Sequence, residues 1–246
     1  MTRAVYPSLT GRTVVVTGGA TGIGQSLSEH FAAQGTRVFI LDIAVPEGEA
    51  LAAQLGADAT FLRCDLTDAD AITDCFAQIG AVNVLVNNAA NDDRHDIADI
   101  TADYFDNRIA VNLRHHFLCA QAVVPAMIAA GRGVIINMGS ISWRLALPRL
   151  VLYETAKAGI EGLTRALARD LGEASIRVMC IVPGGVETPR QMALWQDPES
   201  ERVLVDQQCL KLRIQPEHIA AMALFLASDD AAACTGHSFV VDAGWS

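Results

Sequence analysis

Basic side chains are scarce in this 246-residue chain: 18 lysines and arginines stand against 28 aspartates and glutamates, a formal charge of −10. A surface of that sign argues against a nucleic-acid backbone or an anionic membrane as the main partner. No C-x-x-C pair occurs, and the six cysteines (Cys64, Cys75, Cys119, Cys180, Cys209 and Cys234) lie far apart in the chain, mostly inside apolar runs. They read as small buried hydrophobes in a reducing, cytoplasmic compartment, and no signal peptide is expected. Of the six histidines only His115 and His116 are close. Neighbours on a helix point different ways, so no metal site is expected. The chain also lacks an apolar run of membrane-spanning length, an internal repeat and a Pro/Gly/Ser-rich linker. A single domain, residues 1–246, is therefore the expectation, and 51% hydrophobic residues suffice for a sizeable core.

What the chain does have is alternation. The apolar runs "RTVVVTG", "RVFILD", "ATFLRCD", "VNVLVNNAA", "GVIINMGS", "IRVMCIVPGG" and "HSFVVDAG" are candidate strands. Residues 22–34, 46–55, 68–79, 104–130, 150–171 and 216–227 have helical length and apolar spacing. Seven apolar strands separated by helices predict an α/β, doubly wound, Rossmann-type fold: a seven-stranded parallel sheet with helices on both faces. The long interval between Pro183 and Gln215 suggests a lid at about residues 188–212.

"TGGATGIG", from Thr17 to Gly24, follows the first strand and opens the first helix. Glycines there let the backbone approach a pyrophosphate, which faces the positive end of the helix. Strand-to-helix turns also use glycine for backbone reasons alone. Asp42 favours the ligand, because it ends the second strand about 20 residues further on, where a carboxylate can accept bonds from ribose hydroxyls. No Lys or Arg follows at Ile43 or sits among Gly19, Ala20 and Thr21, so a 2′-phosphate would be unneutralised and NAD is favoured over NADP.

The T-G-x-x-x-G-x-G spacing, "CDL" at Asp65, "NNAA" from Asn87, Asn112, Ser140, Tyr153 with Lys157, and "PGGVETP" occur in the order that identifies the chain as similar to the short-chain dehydrogenase/reductase family. The resemblance covers essentially the whole chain. It implies a dinucleotide held by Gly18, Thr21, Gly22, Ile23, Gly24 and Asp42, with Asp65 and Leu66 bordering the adenine and Asn88 and Ala89 lining the ribose. Pro183, Gly184, Val186 and Thr188 would carry the nicotinamide. Ala90 departs from the usual glycine.

Tyr153 and Lys157 are four residues apart, on one helical face. A free tyrosine, with a pKa near ~10, is a poor base at neutral pH unless positive charge stabilises its phenolate. The resemblance implies that Tyr153 takes the proton of a substrate hydroxyl, Ser140 holds that oxygen, Lys157 binds the nicotinamide ribose and lowers the Tyr153 pKa, and Asn112 holds a relay water. No metal is needed.

Trp143 and Arg144 stand where the family commonly has a small residue, "NDDRHD" follows "NNAA", and Gln191 and Trp195 fall in the lid. Polar groups beside an aromatic face suit a sugar. The same segments resemble bacterial sugar 1-dehydrogenases of the family, the D-xylose and L-arabinose group, which implies oxidation of an aldose at C1 to its lactone. Asn91, Ser142, Trp143 and Gln191, with Ser140 and Tyr153, are the expected substrate residues, and Asp92 and Asp93 are expected to face solvent. A homotetramer packed through residues 104–130 and 150–171 is also implied. The alternatives are dehydrogenation of a non-sugar alcohol or hydroxyacyl thioester, and an NAD-sensing protein without turnover.

Overall fold

The β-branched runs become strands because they can be buried on both faces at once. In a computed structural model, which describes residues 4–195 and 197–246 apart from the side chains of Trp195 and Pro198, all five residues of β1 (Thr13–Thr17) are buried. The same holds for all six of β5 (Gly133–Met138). With β2 (Arg37–Asp42), β3 (Ala59–Arg63), β4 (Val84–Asn87), β6 (Ile176–Pro183) and β7 (Ser238–Val241) they form one parallel sheet ordered β3-β2-β1-β4-β5-β6-β7. Val15 pairs with Phe39 on one side and Leu85 on the other.

Helices α1 (Gly22–Ala32), α2 (Val45–Leu55), α3 (Ala69–Ile79), α4 (Ala102–Ile109), α5 (His115–Ala130), α6 (Ser142–Leu145), α7 (Val151–Leu171), α8 (Pro189–Trp195), α9 (Pro198–Gln207) and α10 (Pro216–Ala227) complete the chain. Alternate strand residues face opposite layers, as a period of two requires. Val14, Val16, Val86 and Ile136 pack under Leu27 and Phe31 of α1 and Ile219 and Ala223 of α10. Val15, Leu85 and Ile135 pack under Phe76 of α3 and Val123 and Met127 of α5. The strand order reverses between β1 and β4, and such a reversal opens a crevice at the carboxyl ends of the strands.

The helix expected over residues 104–130 is not continuous. α4 ends at Ile109, Ala110–Arg114 forms a wider π-type turn, and α5 begins at His115. Asn112 lies inside the turn, with Oδ1 accepting from Asn91 N at 2.8 Å and Nδ2 donating to Asn91 O at 3.0 Å. The His115 and His116 rings lie 4.3 Å apart, both fully buried, with the His115 ring against the backbone of Ala110 and Val111. Among the described residues no three His, Cys, Asp or Glu side chains are grouped to hold a metal ion. Four cysteines are buried as expected, whereas Cys209 is exposed. Cys64 and Cys75, eleven residues apart in sequence, come within hydrogen-bonding reach of each other.

Candidate active site

A cleft of about 1110 Å³ follows the carboxyl ends of the strands, from Asp42 and Asp65 at one end to Tyr153 and Gln191 at the other. Its first half is shaped by missing side chains. Gly18 has φ +60°, and a Cβ there would lie 2.8 Å from Ala89 Cα; a Cβ on Gly24 would lie 1.8 Å from Gly18 O. The loop is thus closed on itself, with Thr21, Gly22 and Ile23 bordering the cleft at the start of α1. The Asp42 carboxylate is fixed by two backbone donors, Ala20 N at 3.0 Å and Ala44 N at 3.1 Å. Asp65 accepts from the hydroxyl of Thr67 at 2.7 Å, and this bond and the Thr67 amide hold its carboxyl below the usual range. Leu66 is buried beside it.

Asn88 ties strands together. Its Nδ2 donates to Thr17 O and Gly18 O, each at 3.0 Å, and Thr17 Oγ1 accepts from the amides of Asn88 and Ala89. Ala90 is absent from the positive-φ residues outside glycine (Ala146, Arg149, Ser175 and Ala243), so its methyl imposes no left-handed strain. Pro183 ends β6, Gly184 N donates to Val241 O at 3.0 Å, and Val186 pairs with Ile214 in an isolated bridge. Thr188 borders the cleft, its hydroxyl accepting from Gln191 N at 3.2 Å. A glycine cradle, a backbone-held carboxylate and a second carboxylate at the same end fit an adenine dinucleotide.

Tyr153 and Lys157 occupy the first turns of α7, and both line the cleft. Lys157 is 1% exposed, donates to Met138 O at 2.7 Å, and lies 5.4 Å from the centre of the Tyr153 ring. Burial brings its pKa down to about 8, so it keeps most of its charge at neutral pH. In the protein alone, burial and the Asp92 carboxylate raise the Tyr153 phenol, outweighing a hydrogen bond with Ser140, so any positive charge that favours the phenolate has this cost to offset. Ser140 Oγ also accepts from Ser142 N at 3.1 Å. The Asn112 side chain accepts from Asn91 N and donates to Asn91 O, which makes it a brace for the loop after β4 and leaves one amide N–H and one lone pair unused by these bonds.

At the substrate end the structure separates the expected residues. Gln191 and Asn91 line the cleft, although Asn91 Oδ1 accepts from Asp93 N at 2.8 Å. Ser142 borders it, but its hydroxyl is sealed from solvent without a partner. Trp143 is a correction. It does not line the cleft, because its indole N–H donates to Glu161 Oε1 at 2.9 Å and Arg144 closes over the ring to bond the same carboxylate. The Trp195 side chain lies outside the described residues. Asp92 is a second correction: it borders the cleft, and only Asp93 is half exposed. Arg190, Leu204 and Trp245 also line the cleft. Trp245 comes from the far C-terminus and donates to Gln207 Oε1 at 2.7 Å, a contact that no local spacing announces.

A family model described as Enoyl-(Acyl carrier protein) reductase matches residues 18–246. A solved short chain dehydrogenase/reductase family protein superposes with a TM-score of 0.90 at 33% identity, covering 96% of this chain and 98% of that one. This chain belongs to the short-chain dehydrogenase/reductase family. Within the short-chain dehydrogenases/reductases it is 58% identical to the D-xylose 1-dehydrogenase of Caulobacter vibrioides, over 100% of both chains. It is 44% identical to a probable galactose dehydrogenase of Rhizobium meliloti, over 97% of this chain and 96% of that one. As a member of this family it is an oxidoreductase that uses a nicotinamide cofactor.

Proposed function

We propose that this chain is an NAD-dependent aldose 1-dehydrogenase, oxidising the anomeric hydroxyl of a cyclic pentose such as D-xylose or L-arabinose, or a related hexose, to the aldonolactone. The observation that carries this reading is the 58% identity, end to end, to a D-xylose 1-dehydrogenase. It is supported by a cleft that brings Ser140, Gln191 and Tyr153 to one end. The backbone-anchored Asp42, followed by Ile43 with no cation, supports NAD over NADP.

When bound, the oxidised dinucleotide supplies the hydride acceptor and a positive charge beside the phenol. Gly18, Gly22 and Gly24 would hold its pyrophosphate, Asp42 its adenosine ribose, and Val186 and Thr188 its carboxamide. Tyr153 removes the proton of the C1 hydroxyl, and Ser140 holds that oxygen in line. Lys157 contributes the fixed charge that offsets part of the burial cost on the phenolate. Asn112 holds the loop after β4 against the turn between α4 and α5. The helices α8 and α9 act as a lid whose base is closed by the Val186–Ile214 bridge.

Phe105 on α4, and Phe117 and Ile128 on α5, are large exposed apolar side chains, which supports subunit packing there in a homotetramer. Six free cysteines support a cytoplasmic setting. No described helix is long and apolar enough to cross a membrane.

Initial rates with NAD and NADP across D-xylose, L-arabinose, D-galactose, L-fucose and cyclohexanol test the reading, with lactone detected directly. An aldose oxidised with NAD well ahead of cyclohexanol is the expected result. Equal rates on cyclohexanol and every aldose would overturn it in favour of a general alcohol dehydrogenase.

A further inference from the structure

Three carboxylates line the cleft. Asp42 and Asp65 sit beyond β2 and β3, at the adenosine end, whereas Asp92 lies in the loop after β4, in the part shared with Ser140 and Tyr153. Among the described residues Asp92 is thus the one carboxylate at the catalytic end. Proton removal gains nothing from it, since its charge makes the Tyr153 phenol harder to ionise. A group that opposes the local chemistry yet is carefully held points to another task.

Asp92 is carefully held. Arg190 Nε donates to its Oδ1 at 3.0 Å and Gln191 Nε2 to its Oδ2 at 2.7 Å, both from the first turn of α8. The same guanidinium bonds Asp93 Oδ1, and Arg108 from α4 braces Asp93 at 3.3 Å. The Asp92 side chain is nevertheless 23% exposed. An ionised carboxylate has about four acceptor positions, so one donor on each oxygen leaves each with capacity to spare. A carboxylate that borders the cleft with acceptor capacity to spare on both oxygens matches a pair of neighbouring hydroxyls, and charge-assisted bonds of that kind are the strong ones.

We propose that Asp92 is a specificity-determining residue: its carboxylate accepts hydrogen bonds from adjacent ring hydroxyls of the sugar, while Arg190 and Gln191 hold it from the α8 side. This rests on the aldose reading above. Selectivity for a polyhydroxylated substrate over a plain alcohol then resides in this residue, whereas proton removal resides in Tyr153. The charged groups around it are Arg190 on α8, Arg108 on α4, Asp93 and Arg94 on its own loop, and Lys157 beside Tyr153 on α7. Removing its charge lowers the phenol's pKa, so the acid limb of the kcat/KM profile moves to lower pH.

The test compares kcat/KM for D-xylose and cyclohexanol with saturating NAD, across pH, in the wild type, Asp92→Asn and Asp92→Glu. Asp92→Asn should lower the xylose-to-cyclohexanol ratio about 10- to 100-fold, the range for losing a hydrogen bond to a charged group. It should also shift the acid limb downward. Asp92→Glu keeps the charge and displaces the oxygens, so the acid limb should stay while the ratio falls. If Asp92→Asn fails to bind NAD, Asp92→Glu carries the test, and a wild-type ratio there overturns the proposal. A wild type selective for xylose with an equally selective Asp92→Asn overturns this inference alone, leaving Asp92 as a tie for α8. A wild type no faster on any aldose than on cyclohexanol overturns the aldose reading and this inference with it.

Discussion

Glu161 decides where a whole stretch of sequence points. It collects the indole N–H of Trp143, the guanidinium of Arg144 and, through Oε2 at 2.7 Å, the hydroxyl of Ser238 on β7. Three donors to one carboxylate hold Trp143 against Glu161 of α7, outside the lining of the cleft. Trp143→Phe should accordingly leave KM for the sugar within about twofold of the wild type, since only a peripheral hydrogen bond is removed. A large rise in KM would show that the ring turns inward when substrate binds. Tyr153→Phe should behave oppositely. Loss of the general base removes roughly 10²- to 10⁴-fold of turnover, with dinucleotide affinity by fluorescence titration nearly unchanged.

The decisive element is the π-type turn between α4 and α5. A wider turn displaces Asn112 out of the helical register, where its amide can satisfy both the N–H and the C=O of Asn91. The loop that carries Asp92 begins at this clamp. Asn112→Ala leaves two backbone groups of Asn91 without partners, and the expected loss is about 1–3 kcal/mol, read as a lower urea midpoint. Turnover should fall further than stability explains, because the loop beside Ser140 and Tyr153 loosens; an unchanged kcat would separate the clamp from the chemistry. Two neighbouring residues with left-handed backbone, Ala146 at φ 52° and Arg149 at φ 66°, shape the segment between α6 and α7. That segment is tied to the same loop by His95 N to Arg149 O at 2.9 Å.

For the molecule as a whole, the buried histidine pair sets a response to acid. Burial, with the nearby Lys157 charge, takes the His115 pKa from 6.5 down to about 3, and His116 also falls well below the ordinary value. Below pH 6.5 the unfolded chain takes up protons that the folded chain refuses, so stability is present above that pH and is lost as pH falls toward 3. Between pH 6.5 and 5 His115 alone should account for up to ~2 kcal/mol, at about 1.4 kcal/mol per unit. Urea unfolding at these two pH values checks this. His115→Leu should flatten the dependence, and an unaltered slope would assign the acid loss to other groups.

The sequence by itself determined the sheet, its parallel sense, the glycine loop and the positions of Asp42, Ser140, Tyr153 and Lys157. The sheet, the glycine loop and the Tyr153–Lys157 pair rest on local rules, namely a period of two in buried strands, glycine where a strand turns into a helix, and four-residue spacing on a helix, whereas Ser140 rested on the family resemblance. Only the tertiary structure decided that Trp143 faces Glu161, that Asp92 enters the cleft, that Trp245 closes it from the C-terminus and that Asn112 sits in a turn. In each case the partner lies far away along the chain, as Arg190 does from Asp92 by 98 positions. The orientation of a polar or amphipathic side chain is set by whichever donor or acceptor the fold brings near. Local pattern carries no record of that neighbour, so residue type announced the chemistry while packing chose the residues that face it.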